Sequence, residues 1–499
     1  MWSLILFVAI GLFGSESFVK ANCTIEAKGN LKFPKKFNFG VATSAYQIEG
    51  GWNADGKGPS IWDEFTHNYP ERIIDGSNGD SAAESYRLFE LDLQALKQLG
   101  AKHYRFSIAW TRIFPTGDVH LKNQKGIDYY NMVINKLREN KIEPMVTMYH
   151  WDLPVALQKF GGFANALIID QFSDYAEELF KLFGDRVKTW ITFNEPNNIC
   201  KAGYGTGYAP PLIQAPGVGD YICFTNLLKA HGTTYRLYQK KFAKKQKGKI
   251  GITLDIFYLF SKTNNTDDVN RAMDYNLGLL AYPIFSKSGD FPPIVLKEIE
   301  KSSMEEGRAK SRLPSLGEYW TKIIKGSGDF IGINYYTSRY VKPATEPMGE
   351  NPSMERDINI QMDVDPNWPR AKADWVYCIP QGLESLLKYL RDEYNNVEVK
   401  ITENGWVDSG ELNDDNRIRY FKSHIQAVLN AINDGCNVTS YSAWSLVDNF
   451  EWLQGYTEKF GLYSVNMKST KKGRIPKKSA LYYKKVIATR SVPVFEYLY

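Results

Sequence analysis

The chain has 499 residues, with 61 Lys and Arg against 56 Asp and Glu and a formal charge of +5. So small an excess over this length excludes a polybasic nucleic-acid surface as an organising feature. Hydrophobic residues at 43% and charged residues at 23% exclude general disorder and leave material for a full core. A prior of about 150 residues per domain allows three domains, while one α/β barrel with insertions runs from ~200 to above 400 residues.

The chain opens on an apolar run, Leu4 to Gly14, too short to span a bilayer and of the length of a signal-peptide core. Val19 and Ala21 put small residues at −3 and −1 for cleavage after Ala21, with Ser15-Glu16-Ser17 as a second candidate. The expectation is residues 1–21 as signal peptide, 22–499 as one domain, and secretion. Sequons at Asn22, Asn264 and Asn437 agree with a secretory route. The five cysteines, Cys23, Cys200, Cys223, Cys378 and Cys436, form no disulfide scaffold or CxxC motif. They are expected to be mostly free, buried thiols; the one bridge considered is Cys200–Cys223, across a loop.

Eight apolar, β-branched or aromatic segments follow: 37–50, 102–110, 143–151, 188–196, 248–256, 328–338, 398–405 and 438–449. Most are apolar nearly throughout, as parallel strands covered on both faces are. Amphipathic stretches separate them. In 81–100, Tyr86, Phe89, Leu93, Leu96 and Leu99 recur at helical spacing, and Gly100 suits the C-cap. Segments 126–141, 172–184 and 381–394 behave alike. Strand and helix in eightfold alternation imply a single (β/α)8 barrel with long loops after the strands. No glycine-rich phosphate loop follows the first strand, against a doubly wound sheet. Long inserts follow the fourth, fifth and sixth strands, and 339–376, with Trp368 and Trp375, reads as irregular. The lysine-rich 240–249 reads as a solvated helix end.

Polar residues gather at the ends of these strands, where a barrel puts its chemistry: Gln47, Arg105, His150, Asn194, Glu195, Asn334, Tyr336 and Glu403. Glu195 in TFNEP (192–196) and Glu403 in ITENG (401–405) each follow an apolar strand. The two meet across a barrel mouth. A carboxylate pair is what glycoside hydrolysis needs, at about 5–5.5 Å in a retaining enzyme. The six histidines show no HxH or HExxH spacing, so no metal and no cofactor are expected.

Together FGVATSAYQIEG (39–50), RFSIAW (105–110), MYHWDLP (148–154), TFNEP, GINYYTS (332–338), ITENG and AWSLVDNFEW (443–452) resemble glycoside hydrolase family 1, the β-glucosidase type, in family order. The resemblance implies Glu195 as acid/base and Glu403 as nucleophile. It implies Asn194 on the sugar 2-hydroxyl, and Tyr336 and Arg105 bonding Glu403 and lowering its pKa, with Asn334 in support. Gln47, His150, Trp444, Glu451 and Trp452 would form the sugar pocket, where the Glu451 carboxylate argues against a phosphorylated sugar. Lys201 and Arg339 resemble a basic pair with which a thioglucosidase member holds the sulfate of a glucosinolate. With Asn197 and Trp375 they are expected on the leaving-group side. Asn197 and Asn466 depart from the family pattern; the first bears on leaving-group choice. The expected partner is a small-molecule β-glucoside or a glucosinolate, with no nucleic acid and no membrane, the protein being a monomer or homodimer.

Overall fold

The computed structural model describes residues 23–345, 349 and 351–493. The signal segment and the Asn22 sequon lie outside the described residues. Eight parallel strands close into a barrel: Asn38–Ala42, His103–Ser107, Glu143–Tyr149, Thr189–Asn194, Lys249–Asp255, Phe330–Asn334, Val399–Asn404 and Val438–Trp444. The first strand closes the ring on the eighth, with Asn38 opposite Ser440 and Ala42 opposite Trp444. The strands are buried almost residue for residue because side chains fill the barrel on one face and helices cover the other.

The expected helices form where the periodicity puts them. Ser85–Leu99 buries Phe89, Leu93, Leu96 and Leu99. Gly100 ends it at φ 73°, its amide bonding the carbonyls of Leu96 and Lys97, a left-handed cap that glycine adopts without a Cβ clash. Gln124–Glu139, Ile168–Phe183 and Pro380–Glu393 likewise turn apolar faces inward. The lysines of 240–249 are all exposed around the end of the helix Gly219–Lys241.

Three expectations need correction. The first and last strand segments are overlong: the chain leaves the first strand at Ala42, and Gln47 sits in the short helix Ala45–Ile48. Segment 339–376 is partly regular. Ser338–Pro343 pairs with Tyr258–Ser261 and Ile360–Asp363 in a three-stranded sheet beside the barrel mouth. Four of the five cysteines are bridged, Cys23 to Cys378 and Cys200 to Cys223, leaving only Cys436 as a buried thiol. The first bridge joins residues 355 apart in sequence, a proximity that only the folded barrel creates.

Candidate active site

The site stands at the C-terminal ends of the strands, in a cleft of about 650 Å³. Glu195 follows the fourth strand and caps the short helix Pro196–Cys200. Its backbone is left-handed, at φ 51°, as are those of two other cleft residues, Trp151 at φ 75° and Trp452 at φ 52°. A non-glycine residue held there costs about 1–3 kcal/mol, and such strain concentrates at functional sites. The Cys200–Cys223 bridge ties the far end of the Glu195 helix to the long helix Gly219–Lys241.

Both carboxylates are buried, and their surroundings differ. Glu403 accepts from Arg105 Nη1 at 2.6 Å and from the Tyr336 hydroxyl at 2.7 Å. Glu195 accepts only from neutral amides, Asn334 Nδ2 at 2.6 Å and Asn198 Nδ2 at 2.9 Å. Burial, the Glu403 charge and the Asp255 charge push the Glu195 carboxyl well above the ordinary range. Glu403 was expected low. Burial instead raises it, with Arg105 and Tyr336 opposing that rise.

Arg105 also donates from Nη2 to Asn194 Oδ1 at 2.6 Å, which turns the Asn194 amide nitrogen toward His150 Nε2 at 3.0 Å. With Nε2 accepting, the His150 proton resides on Nδ1, an atom without a protein partner. Burial and the Arg105 charge depress the His150 pKa far enough to keep the ring neutral. Gln47 Nε2 donates to the Phe450 carbonyl at 2.9 Å and reaches Glu451 Oε2 at 3.3 Å. Glu451 faces no cation, and burial lifts its pKa well above the usual value. Trp444, His150 and Trp452 line the same wall, the His150 ring lying 6.1 Å from Trp444 and 5.9 Å from Trp452. All of the expected sugar-side residues except Asn194 line the cleft, and Asn194 lies behind it, bonded to His150 and Arg105.

The comparisons with known proteins agree with this geometry. The family described as "Glycosyl hydrolase family 1" matches residues 30–492. The chain belongs to glycosyl hydrolase family 1. It is 43% identical to Myrosinase 1 of Brevicoryne brassicae, over 92% of this chain and 99% of that protein. It is 44% identical to human cytosolic beta-glucosidase, over 92% and 98%. Among solved structures, aphid myrosinase superposes with a TM-score of 0.88 at 43% identity, over 92% of this chain and 100% of that one. A mutant of rice Os3BGlu6 beta-glucosidase in a covalent complex with Glc superposes at 0.86 and 36% identity, over 91% and 99%. This family 1 member is a glycoside hydrolase with a closed (β/α)8 barrel.

The leaving-group side follows expectation in part. Asn197, Lys201 and Trp375 line the cleft, Trp375 being 40% exposed. Arg339 does not. Its Nη1 donates to the Ser338 carbonyl and its Nη2 to the Trp375 carbonyl, both at 2.8 Å, and its guanidinium lies 4.8 Å from the Phe257 ring centre. The arginine thus holds the rim instead of facing the cavity, because the short strand Ser338–Pro343 carries it away from Tyr336. Asn466 is exposed in a turn, accepting from the Lys468 amide.

Several cleft residues escaped the sequence reading: Trp151, Asn198, Asp255, Tyr275 and Asn276. Asp255 is the last residue of the fifth strand and Glu403 the last but one of the seventh, yet position alone did not single Asp255 out. A second chamber of about 320 Å³, walled by Trp62, Tyr149, Tyr208, Pro210 and Pro211 among others, shares Trp151, Trp375 and Trp452 with the main cleft. His103 in the second strand packs against Ser442, and His231 on the helix Gly219–Lys241 packs against Thr192 of the fourth strand. Among the described residues no group of three or more His, Cys, Asp and Glu could hold a metal ion.

Proposed function

We propose that the chain is a secreted, retaining β-glucosidase acting on terminal β-D-glucosides of unphosphorylated glucose. The observation that carries this reading is the asymmetry of the two buried carboxylates. Glu403 bears the cation and the phenol and is the better anion; Glu195 has amides alone and is the better acid. In the first step the Glu403 carboxylate attacks the anomeric carbon as the bond to the leaving oxygen breaks, and the Glu195 proton goes to that oxygen. In the second, Glu195 takes a proton from water, whose oxygen attacks the anomeric carbon and frees Glu403. Asn194 and His150 suit the sugar hydroxyls nearest the reacting carbon. Gln47 and Glu451 suit those further round the ring, over the Trp444 face, and neither offers a phosphate a counter-charge.

A second reading is a thioglucosidase acting on glucosinolates. The Lys201 ammonium on the cleft wall favours it, and similarity to the aphid myrosinase supports it. Arg339, engaged by two carbonyls, adds nothing to it. Comparing kcat/KM on a neutral aryl glucoside, cellobiose and a glucosinolate tests both readings. No glucose from any glucosinolate leaves the first alone; none from the aryl glucoside overturns the first.

Passage through an oxidising compartment is supported by two disulfides and by exposed Asn264 and Asn437 at their sequons. No helix of the described residues is long and apolar enough to cross a membrane. Secretion is tested by expressing the full chain in a eukaryotic host and assaying medium against lysate.

A further inference from the structure

We propose that Asp255 is a specificity-determining residue that sets the leaving-group side of the cleft against anionic substrates and in favour of neutral, hydroxylated ones. This rests on the glycosidase reading and narrows its substrate class. Asp255 ends the fifth strand, opposite Asn334 in register, and lines the cleft together with Asn197, Lys201 and Tyr275. Its Oδ1 is closed to solvent and has no hydrogen-bond partner in the protein. The same is true of Asn197 Oδ1 and Tyr275 Oη. The Asn197 amide is oriented by the carbonyls of Asn276 at 2.8 Å and Asp255 at 3.4 Å, so its oxygen is the atom left unbonded. Buried polar atoms without partners are exceptions that call for a ligand or water.

The wall therefore carries the acceptors Asp255 Oδ1 and Asn197 Oδ1, the Tyr275 hydroxyl, which can donate or accept, and the Lys201 cation. The Glu195 and Glu403 charges act on Asp255 too, and Lys201 is the cation that opposes its burial most. A neutral, hydroxylated leaving group meets no charge repulsion from Asp255, whereas a sulfate or carboxylate meets a like charge in a partly desolvated cleft. Lys201 by itself reads as a sulfate site. Asp255 offsets part of the Lys201 charge that a sulfate would otherwise meet.

Burial raises Asp255 to about 6, against the Lys201 charge, so it is ionised at neutral pH and loses its charge in acid. Discrimination against anions should then strengthen as pH rises through about 6.

The experiment measures kcat/KM for 4-nitrophenyl β-glucoside and for the same glucoside carrying a ring sulfonate, from pH 4.5 to 8. In the unaltered enzyme the anionic-to-neutral ratio should fall as pH rises through about 6. Asp255→Asn should raise that ratio roughly ten- to thirtyfold at pH 7.5 and flatten its pH dependence. Lys201→Met should lower it. A ratio that is independent of pH in the unaltered enzyme, or unchanged in Asp255→Asn, overturns the proposal. The first readout needs no variant, and Asp255→Ser is the second variant if the amide does not fold. Failure of the glucosidase reading is separate, since the neutral glucoside would then not be cleaved at all.

Discussion

Arg105 Nη1 lies 2.6 Å from Glu403 Oε1, and neither side chain opens more than 5% of its surface to solvent. The second terminal nitrogen of the same guanidinium reaches Asn194, so one planar fork fixes the nucleophile candidate and the amide proposed for the sugar together. Lysine keeps the charge and loses the fork. Arg105→Lys should therefore lower kcat/KM about 10²–10³-fold, the range seen when a preorganised donor is removed. It should also move the acidic limb of the pH profile upward, because Glu403 must be ionised to attack and loses part of what opposes its burial. A fall in rate with an unmoved acidic limb would assign Arg105 to substrate binding alone.

The stereochemical outcome follows from carboxylate spacing. A pair about 5–5.5 Å apart passes through a glycosyl-enzyme and retains configuration, whereas ~6.5–9.5 Å leaves room for water and inverts. Proton NMR of the first glucose released from an aryl β-glucoside should show the β-anomer before mutarotation. The α-anomer appearing first would rule out Glu403 as nucleophile.

The barrel was legible because parallel strands covered on both faces are written as uninterrupted apolar runs, and eight such runs stand in the chain. The site was legible for a related reason: polar residues that end those runs are confined to one face of the barrel. The same rule reached too far at 37–50, where apolar residues continue past Ala42 into a buried helix turn. Short apolar runs do not distinguish strand from buried helix. It did not reach Asp255, whose strand-end position resembles that of any solvated carboxylate until Lys201 and Tyr275 come alongside it. Arg339 misled because only two residues of sequence separate it from Tyr336, while the short strand Ser338–Pro343 turns it to the rim. The Cys23–Cys378 pair depends on long-range closure, and no local pattern announces it.

Asp152 makes stability depend on pH. It is buried, neither carboxylate oxygen has a protein partner, and burial raises it to about 7, with Lys57 opposing. A carboxyl raised above its unfolded value of about 3.9 favours the folded state in acid, and that contribution is lost as pH climbs through the folded value. Asp152→Asn should raise Tm by roughly 2–4 °C at pH 8 and leave it nearly unchanged at pH 4.5, measured by calorimetry. An equal shift at both pH values would mean that packing, not ionisation, sets the effect.

Glu195→Gln separates proton donation from binding. The amide fills the same space and retains a bond to Asn334 or Asn198, so the sugar pocket should stay intact. An alkyl glucoside expels an alkoxide unless a proton arrives, and general acid catalysis contributes typically 10²–10⁴-fold. Its kcat/KM should fall by about that factor. A dinitrophenyl glucoside, whose leaving group departs as a stabilised anion, should lose far less in the glycosylation step. A pre-steady-state burst of phenolate should then appear, because the second step still lacks the base that activates water. The basic limb of the alkyl glucoside profile should disappear with the carboxyl that makes it. Equal losses on both substrates, with no burst, would remove Glu195 from the acid/base role.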